Sequence, residues 1–111
     1  MLKVNEASSG LLEADLIDEM DDPVDGGDLD SALLTVTSAE TGDVINGLSN
    51  IDVLSYIDVN GHLAYPLTPL DNVMINRLKP EEWRHALLVL VWDSGNKGLT
   101  ERITFSVKRV H

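Results

Sequence analysis

The chain lacks cysteine, which excludes disulfide staples, thiolate metal sites and cysteine nucleophiles together. Aromatic residues are few: Trp83, Trp92, Tyr56, Tyr65 and Phe105, so Leu, Val and Ile must supply most of the core volume. No apolar run approaches the roughly 20 residues that a membrane-spanning helix requires. No basic segment followed by an apolar one opens the chain, so no secretory leader is expected. Basic residues are scarce too. Eight Lys and Arg stand against 19 Asp and Glu, a net charge of −11 over 111 residues. That balance disfavours direct binding to nucleic acid or to an anionic membrane, and it favours a basic protein surface as the docking target.

The acidity is concentrated at one end. Residues 1–30 carry ten acidic side chains and one basic one, Lys3, whereas residues 31–111 carry nine acidic and seven basic. The pattern suggests an acidic arm, 1–30, ahead of a near-neutral domain, 31–111, whose length suits one modest core. Within the arm, Leu12, Leu16 and Met20 recur at helical spacing with Ile17 beside them, which predicts a short helix stripe. Such a helix is too short to persist alone in water and must pack on something. The following "DDPVDGGDLD" offers almost nothing to bury and is expected to be a mobile linker.

From residue 31 the period shortens to two. "SALLTVT" is rich in β-branched residues and is followed by a turn at Thr41-Gly42. Alternation through 51–57 leads to Asn60-Gly61, the dipeptide suited to a tight type I′ hairpin. "NVMINRL" is a further strand candidate, and "KPEEWRH" is expected to be a turn or a single helical turn. Two closing strands follow, about 86–93 and 101–109. The second alternates cleanly. The first, "ALLVLVW", is apolar on both faces, so it is expected at the centre of its sheet and covered twice, once by the opposite sheet and once by the arm or a partner. Six or seven short strands punctuated by Gly, Pro and Asn predict an all-β, immunoglobulin-like antiparallel sandwich.

Those closing strands carry a resemblance. "WRHALLVLVWDSGNKGLTERITFSVKRV" resembles the last two strands of bacterial and phage immunoglobulin-like domains: an apolar strand, an Asp, a Gly-Asn turn and an alternating strand. "NRLKPEEW" is similar to the Leu-x-Pro corner of fibronectin type III modules, with Trp83 where a tyrosine usually stands one residue later. The resemblance spans about 35 residues. It implies a non-enzymatic module, such as a capsid decoration or tail protein of a phage particle, located on the virion. An adhesin or stalk repeat on the bacterial cell surface is the alternative it allows. A third reading, from charge alone, is a small cytosolic inhibitor that mimics nucleic acid. Expected partners are capsid or tail subunits or a host surface component, with a homo-oligomer also open. The expected contact residues are Leu12, Leu16, Ile17 and Met20 on the arm, together with Trp83.

Chemistry-bearing constellations are thin. Asp21, Asp25 and Asp28 are the candidate calcium ligands. Aligned to an EF-hand with Gly26 at the turn, however, the third position is Pro23 and the twelfth is Ala32 instead of a bidentate Glu. Ser55, Asp58 and His62 gather near the Asn60-Gly61 turn, but Ser55 and Asp58, three apart on one strand, would face opposite ways. No cofactor is expected. Nor do residues place a nucleophile, base and oxyanion donor together, so no enzyme is expected. Trp92 is expected in the core or beneath the arm, and Trp83 as a corner plug or a partner-facing anchor.

Overall fold

A computed structural model describes residues 2–18, 20–75 and 78–110. Asn76 and Arg77 of the expected 72–78 strand, and His111, lie outside them. The structure is all-β, as expected, and is built from two sheets of unequal size. Seven strands are present: β1 (Lys3–Asn5), β2 (Gly10–Asp15), β3 (Leu29–Ser38), β4 (Ile51–Asp52), β5 (His62–Leu67), β6 (Glu81–Trp92) and β7 (Lys97–Lys108). The large sheet runs β1-β7-β6-β3-β4, and β2 with β5 forms a two-stranded cover. The large sheet is mixed, because β1 lies parallel to β7.

The β6–β7 hairpin sets the dimensions. Its register runs unbroken from Glu81↔Lys108 to Trp92↔Lys97; twelve residues at about 3.4 Å each account for most of the 46 Å long axis. The tip is a tight turn closed by Asn96 N–H donating to the Asp93 carbonyl at 3.0 Å. Ser94 and Gly95 both hold positive φ, 53° and 88°, the geometry whose twist matches the flanking strands. The expected closing strands are therefore present but longer. "KPEEWRH" is not a turn: β6 already begins at Glu81, because Glu82 and Arg84 extend its inward row as a buried ion pair.

Period-two alternation places the core on one side of the large sheet. Ala86, Leu88 and Leu90 of β6, Ala32, Leu34 and Val36 of β3, and Phe105 and Val107 of β7 are buried together. A bulge between Leu29 and Ser31 re-phases β3, so that Leu29 also turns inward. Covering this face are Leu12 of β2, Leu63 and Leu67 of β5, and loop residues Leu16, Val24, Ile45, Leu48, Val53, Ile57 and Met74.

The first 30 residues do not form a separate arm. No α-helix occurs among the described residues, and the expected stripe over 12–20 is instead β2 followed by a turn. Leu12 is fully buried and Leu16 nearly so, while Met20 is 74% exposed. The helical spacing was coincidental, because β2 pairs along its whole length with β5, from Gly10↔Leu67 to Asp15↔His62. The expected linker is also ordered. Leu16 N–H donates to Gly61 O, Val24 N–H to Leu16 O and Gly26 N–H to Asp58 O, at 2.8–3.0 Å. Two glycines allow this docking. A Cβ on Gly26 would collide with the Ile57 carbonyl, and Gly61, at φ +77°, lies against the backbone of Leu16 and Val24.

Elsewhere the short strands differ from expectation. The alternation over 51–57 yields only β4 and a 3-10 turn at Leu54–Tyr56. At Asn60-Gly61 only Gly61 has positive φ. With Gly61 N–H on Asp58 O and Asp58 N–H on His62 O, the connection is a three-residue hairpin with a glycine bulge, not type I′. The described part of "NVMINRL" is irregular and follows the 3-10 turn Pro69–Asn72.

A paired truncation tests whether the N-terminal segment belongs to this core. Leu12→Ala should lower unfolding free energy by about 2–5 kcal/mol, whereas Met20→Ala should change it by less than about 0.5 kcal/mol, read by urea denaturation. An arm free of the core would make both changes equally silent.

Candidate functional site

β6 shows apolar side chains on both faces, yet among the described residues only its even-numbered face has a protein layer over it. On the other face Trp83, Leu87 and Val89 are 36%, 38% and 36% exposed. Cross-strand register places Leu33 beside Val89 and Thr35 beside Leu87 on β3, and Arg102 beside Leu87 and Thr100 beside Val89 on β7. The result is an apolar strip along the middle of the sheet, rimmed by threonines. His85 Nδ1 meets Thr104 Oγ1 at 3.1 Å, and Ser106 Oγ donates to Glu81 Oε2 at 3.1 Å, both on this face. By the same register Lys3, Arg102 and Lys108 share the face with Glu81 and Asp52. The face is thus locally balanced or slightly basic on a strongly acidic chain.

The expected contact residues do not come together. Leu12 and Leu16 are core and unavailable to a partner, whereas Ile17 and Met20 are exposed beside the acidic segment. Trp83 lies on the strip, so it is not a corner plug. The expected second cover of β6 by the arm is absent, because residues 10–15 pack on the opposite side as β2. Trp92 is partly buried against the core. It does lie beneath the acidic segment: it floors a cleft of 360 Å³ with Ile17, Asp18, Asn96, Lys97, Gly98 and Leu99. A smaller hollow on its other side is lined by Asp18, Pro23, Val24, Asp25 and Asp28.

The candidate calcium residues do not converge. Asp25 accepts from Gly27 N–H at 2.8 Å as a turn cap, and among the described residues no group of three ligating side chains is arranged to hold a metal. Ser55, Asp58 and His62 form no relay either. Asp58 accepts from the backbone N–H of Asn60 and His62. The His62 ring instead meets Asp15 Oδ1 at 2.9 Å and Glu13 Oε2 at 3.1 Å. The Asp15 hydrogen bond, with Glu13 adding to it, raises the His62 pKa above 6.5 despite opposing desolvation. Sequence reasoning missed this cluster. The alternating acids of "LLEAD" were the available signal, but treating that stretch as helix hid their shared strand face.

A second cluster, also missed, is buried. Arg84 is fully inaccessible and pairs with Glu82 at 2.7 Å. Its guanidinium also donates to the carbonyls of Asp71 at 2.5 Å and Val73 at 2.7 Å, and Glu82 Oε1 accepts from Ile75 N–H at 2.9 Å. Asp71 in turn closes a capping box with Thr68 and accepts from Asn46 Nδ2. Apart from the Arg84–Glu82 pair within β6, these bonds tie the irregular 68–75 segment to β6, to itself or, through Asn46, to the loop ahead of β4. The cluster is a fastening, and the reactive groups in it are all engaged.

No family model matches the chain, and comparison with curated proteins and with solved structures finds no match.

Two measurements follow from these clusters. Glu82→Ala leaves the Arg84 charge buried without its carboxylate and should cost about 3–5 kcal/mol of stability in denaturant titration. For His62, the folded pKa is raised, so the stabilisation is full below 6.5 and is lost as pH rises through the folded value. The stability gap between wild type and His62→Gln should therefore be widest near pH 6 or below and shrink at higher pH. An NMR titration should place the His62 midpoint above 6.5, moving down in Asp15→Asn.

Proposed function

We propose that this chain is a non-enzymatic binding module of a larger protein assembly, docking through the outer face of its five-stranded sheet. The observation that carries the reading is the uncovered strip of Trp83, Leu87 and Val89 on the most central strand of the fold. Apolar side chains aligned on one rigid sheet face, with an aromatic among them, are the composition of an interface centre. The partner is a structural subunit with an apolar patch of its own. Its rim is neutral or mildly acidic where it meets Lys3, Arg102 and Lys108.

The setting follows the resemblance of residues 83–110: an immunoglobulin-like component of a phage particle, in its capsid decoration or tail. Docking through an N-terminal arm is replaced in this reading by docking through the sheet, since Leu12 and Leu16 are part of the core. Ile17 and Met20 remain exposed for a peripheral contact. An adhesin repeat on a bacterial surface would use the same strip against the next domain.

Gradient sedimentation of lysate from producing cells tests it. The wild-type chain should travel with assembled particles, and Leu87→Lys should shift most of it to the soluble fractions with its thermal midpoint little changed. A wild-type chain that never enters the particle fractions refutes the reading.

A further inference from the structure

A second surface lies at the edge of the large sheet. β7 is hydrogen-bonded to β6 over all twelve residues, but β1 covers its other side only over Ser106–Lys108. Among the described residues no strand or loop bonds the outer backbone of β7 between Lys97 and Phe105. The direction of the open groups is fixed by the strand's period. Ser106 N–H points away from β6, toward Leu2 O at 3.2 Å. With no bulge in the register, the N–H and C=O groups of Thr104, Arg102, Thr100 and Gly98 point the same way. They form an unpaired ladder.

The side chains beside that ladder are unfinished as well. Leu99 and Ile103 share the inward face of β7 and are only half-buried at the margin of the core. The cleft at Trp92 is lined by Gly98 and Leu99 of this strand together with Ile17, Asp18 and Lys97. A further opening against Trp92 is lined by Asp28, Asp93 and Lys97.

We propose that the β7 edge from Gly98 to Thr104 accepts an extended peptide segment of a partner protein as an added strand, with a lysine or arginine of that segment over Trp92. The added strand completes the hydrogen-bond ladder, and its inward side chains bury Leu99 and Ile103. A cation entering the cleft meets the Trp92 indole and the Asp18 carboxylate, with Asp28 and Asp93 against the same indole in the adjoining hollows, an attraction of both π and ionic kind. Backbone pairing supplies the affinity and the cleft supplies the selection. A second copy of this chain is the poorer occupant. It would bring two charges of −11 together, and a twofold β7–β7 pairing sets Glu101 and Arg102 near their own duplicates.

The probe is a labelled heptapeptide, Thr-Val-Thr-Val-Ser-Lys-Thr, whose valines and lysine fall on one face of a strand. Three companions accompany it: one with Glu in place of Lys, one N-methylated at odd positions and one at even positions. Binding is read by fluorescence anisotropy and by amide shifts in two-dimensional NMR. The expected result is binding that moves the amides of Gly98, Thr100, Arg102 and Thr104, with one methylated peptide binding like the parent and the other at least tenfold weaker. The Glu peptide should bind at least fivefold more weakly than the parent. Asp18→Asn, which keeps the oxygen that caps Met20 and Asp22, should weaken the Lys peptide several-fold and leave the Glu peptide no weaker.

Arg102→Pro removes an outward N–H, a change edge strands tolerate, together with a side chain on the sheet face. It should abolish binding with little change in the folding midpoint, whereas Arg102→Ala, which keeps the N–H, should bind as wild type does. Equal binding of both methylated peptides overturns the proposal. So do shifts confined to other residues, no shifts at millimolar peptide, or sedimentation showing that the free chain is already an edge-paired dimer. The proposal does not depend on the sheet face: Leu87→Lys should bind the peptide as wild type does.

Discussion

β6 is hydrogen-bonded on both sides and covered on one. Everything else in the structure depends on how the chain covers that single face. The even-numbered residues from Ala86 to Leu90 need a layer against them, and a sheet of five strands would ordinarily receive a second sheet of similar width. Here the second sheet has only two strands. The remaining cover comes from irregular backbone: 16–28 on one side, 45–50 and 53–57 on another and 69–75 at the β6 start. Leucine and valine from these segments complete the core. Their backbone polar groups then require partners that a regular sheet would have supplied.

The Arg84–Glu82 pair answers that requirement at one end. A guanidinium carries five donors in a fixed fork, which matches two neighbouring carbonyls and a carboxylate at once. Placing it on a strand gives the 68–75 segment a rigid template. A buried ion pair adds little net stability over a well-packed apolar substitute, so its role is specification: it fixes which carbonyls face inward and where the segment crosses the sheet end. At the opposite end the same problem is solved without charge. Gly26 and Gly61 let two stretches of backbone approach and bond directly, so an Asp-rich segment with little to bury is nonetheless held in place through Val24.

How much of this was legible in the sequence follows from these two solutions. The β6–β7 hairpin was readable because strict alternation and a glycine-bearing turn are local signals, as was the all-β class. β2 was not. "GLLEADLIDEM" satisfies helical spacing at Leu12, Leu16 and Met20, and only pairing with a strand some fifty residues away decides the matter. The segment 16–28 read as a linker because composition registers side chains, whereas its order comes from main-chain bonds. Arg84 was invisible for a similar reason: its acceptors are carbonyls at positions 71 and 73, which any residue type could provide. The apolar character of both β6 faces is local and legible. Of the two covers expected over the second face, the arm lies on the opposite side as β2, which leaves Leu87 and Val89 standing where water reaches them.

An uncovered face and an open edge in one small molecule are both surfaces on which a second copy could pair. Charge placement opposes that pairing. The net −11 opposes close approach of like molecules over about a Debye length, roughly 8 Å at physiological salt. On the β7 edge, Lys97, Glu101 and Arg102 interrupt the apolar residues, as charged side chains do on exposed strand edges elsewhere. On the sheet face, Arg102 flanks the apolar strip. Against a partner bearing the opposite arrangement the desolvation of these groups is offset by pairing, whereas in a self-association each must be desolvated beside its own kind. The acidity that marks the N-terminal quarter of the sequence reaches the β7 edge through Asp18, which shares a cleft with Gly98 and Leu99, and there like charge disfavours a second copy.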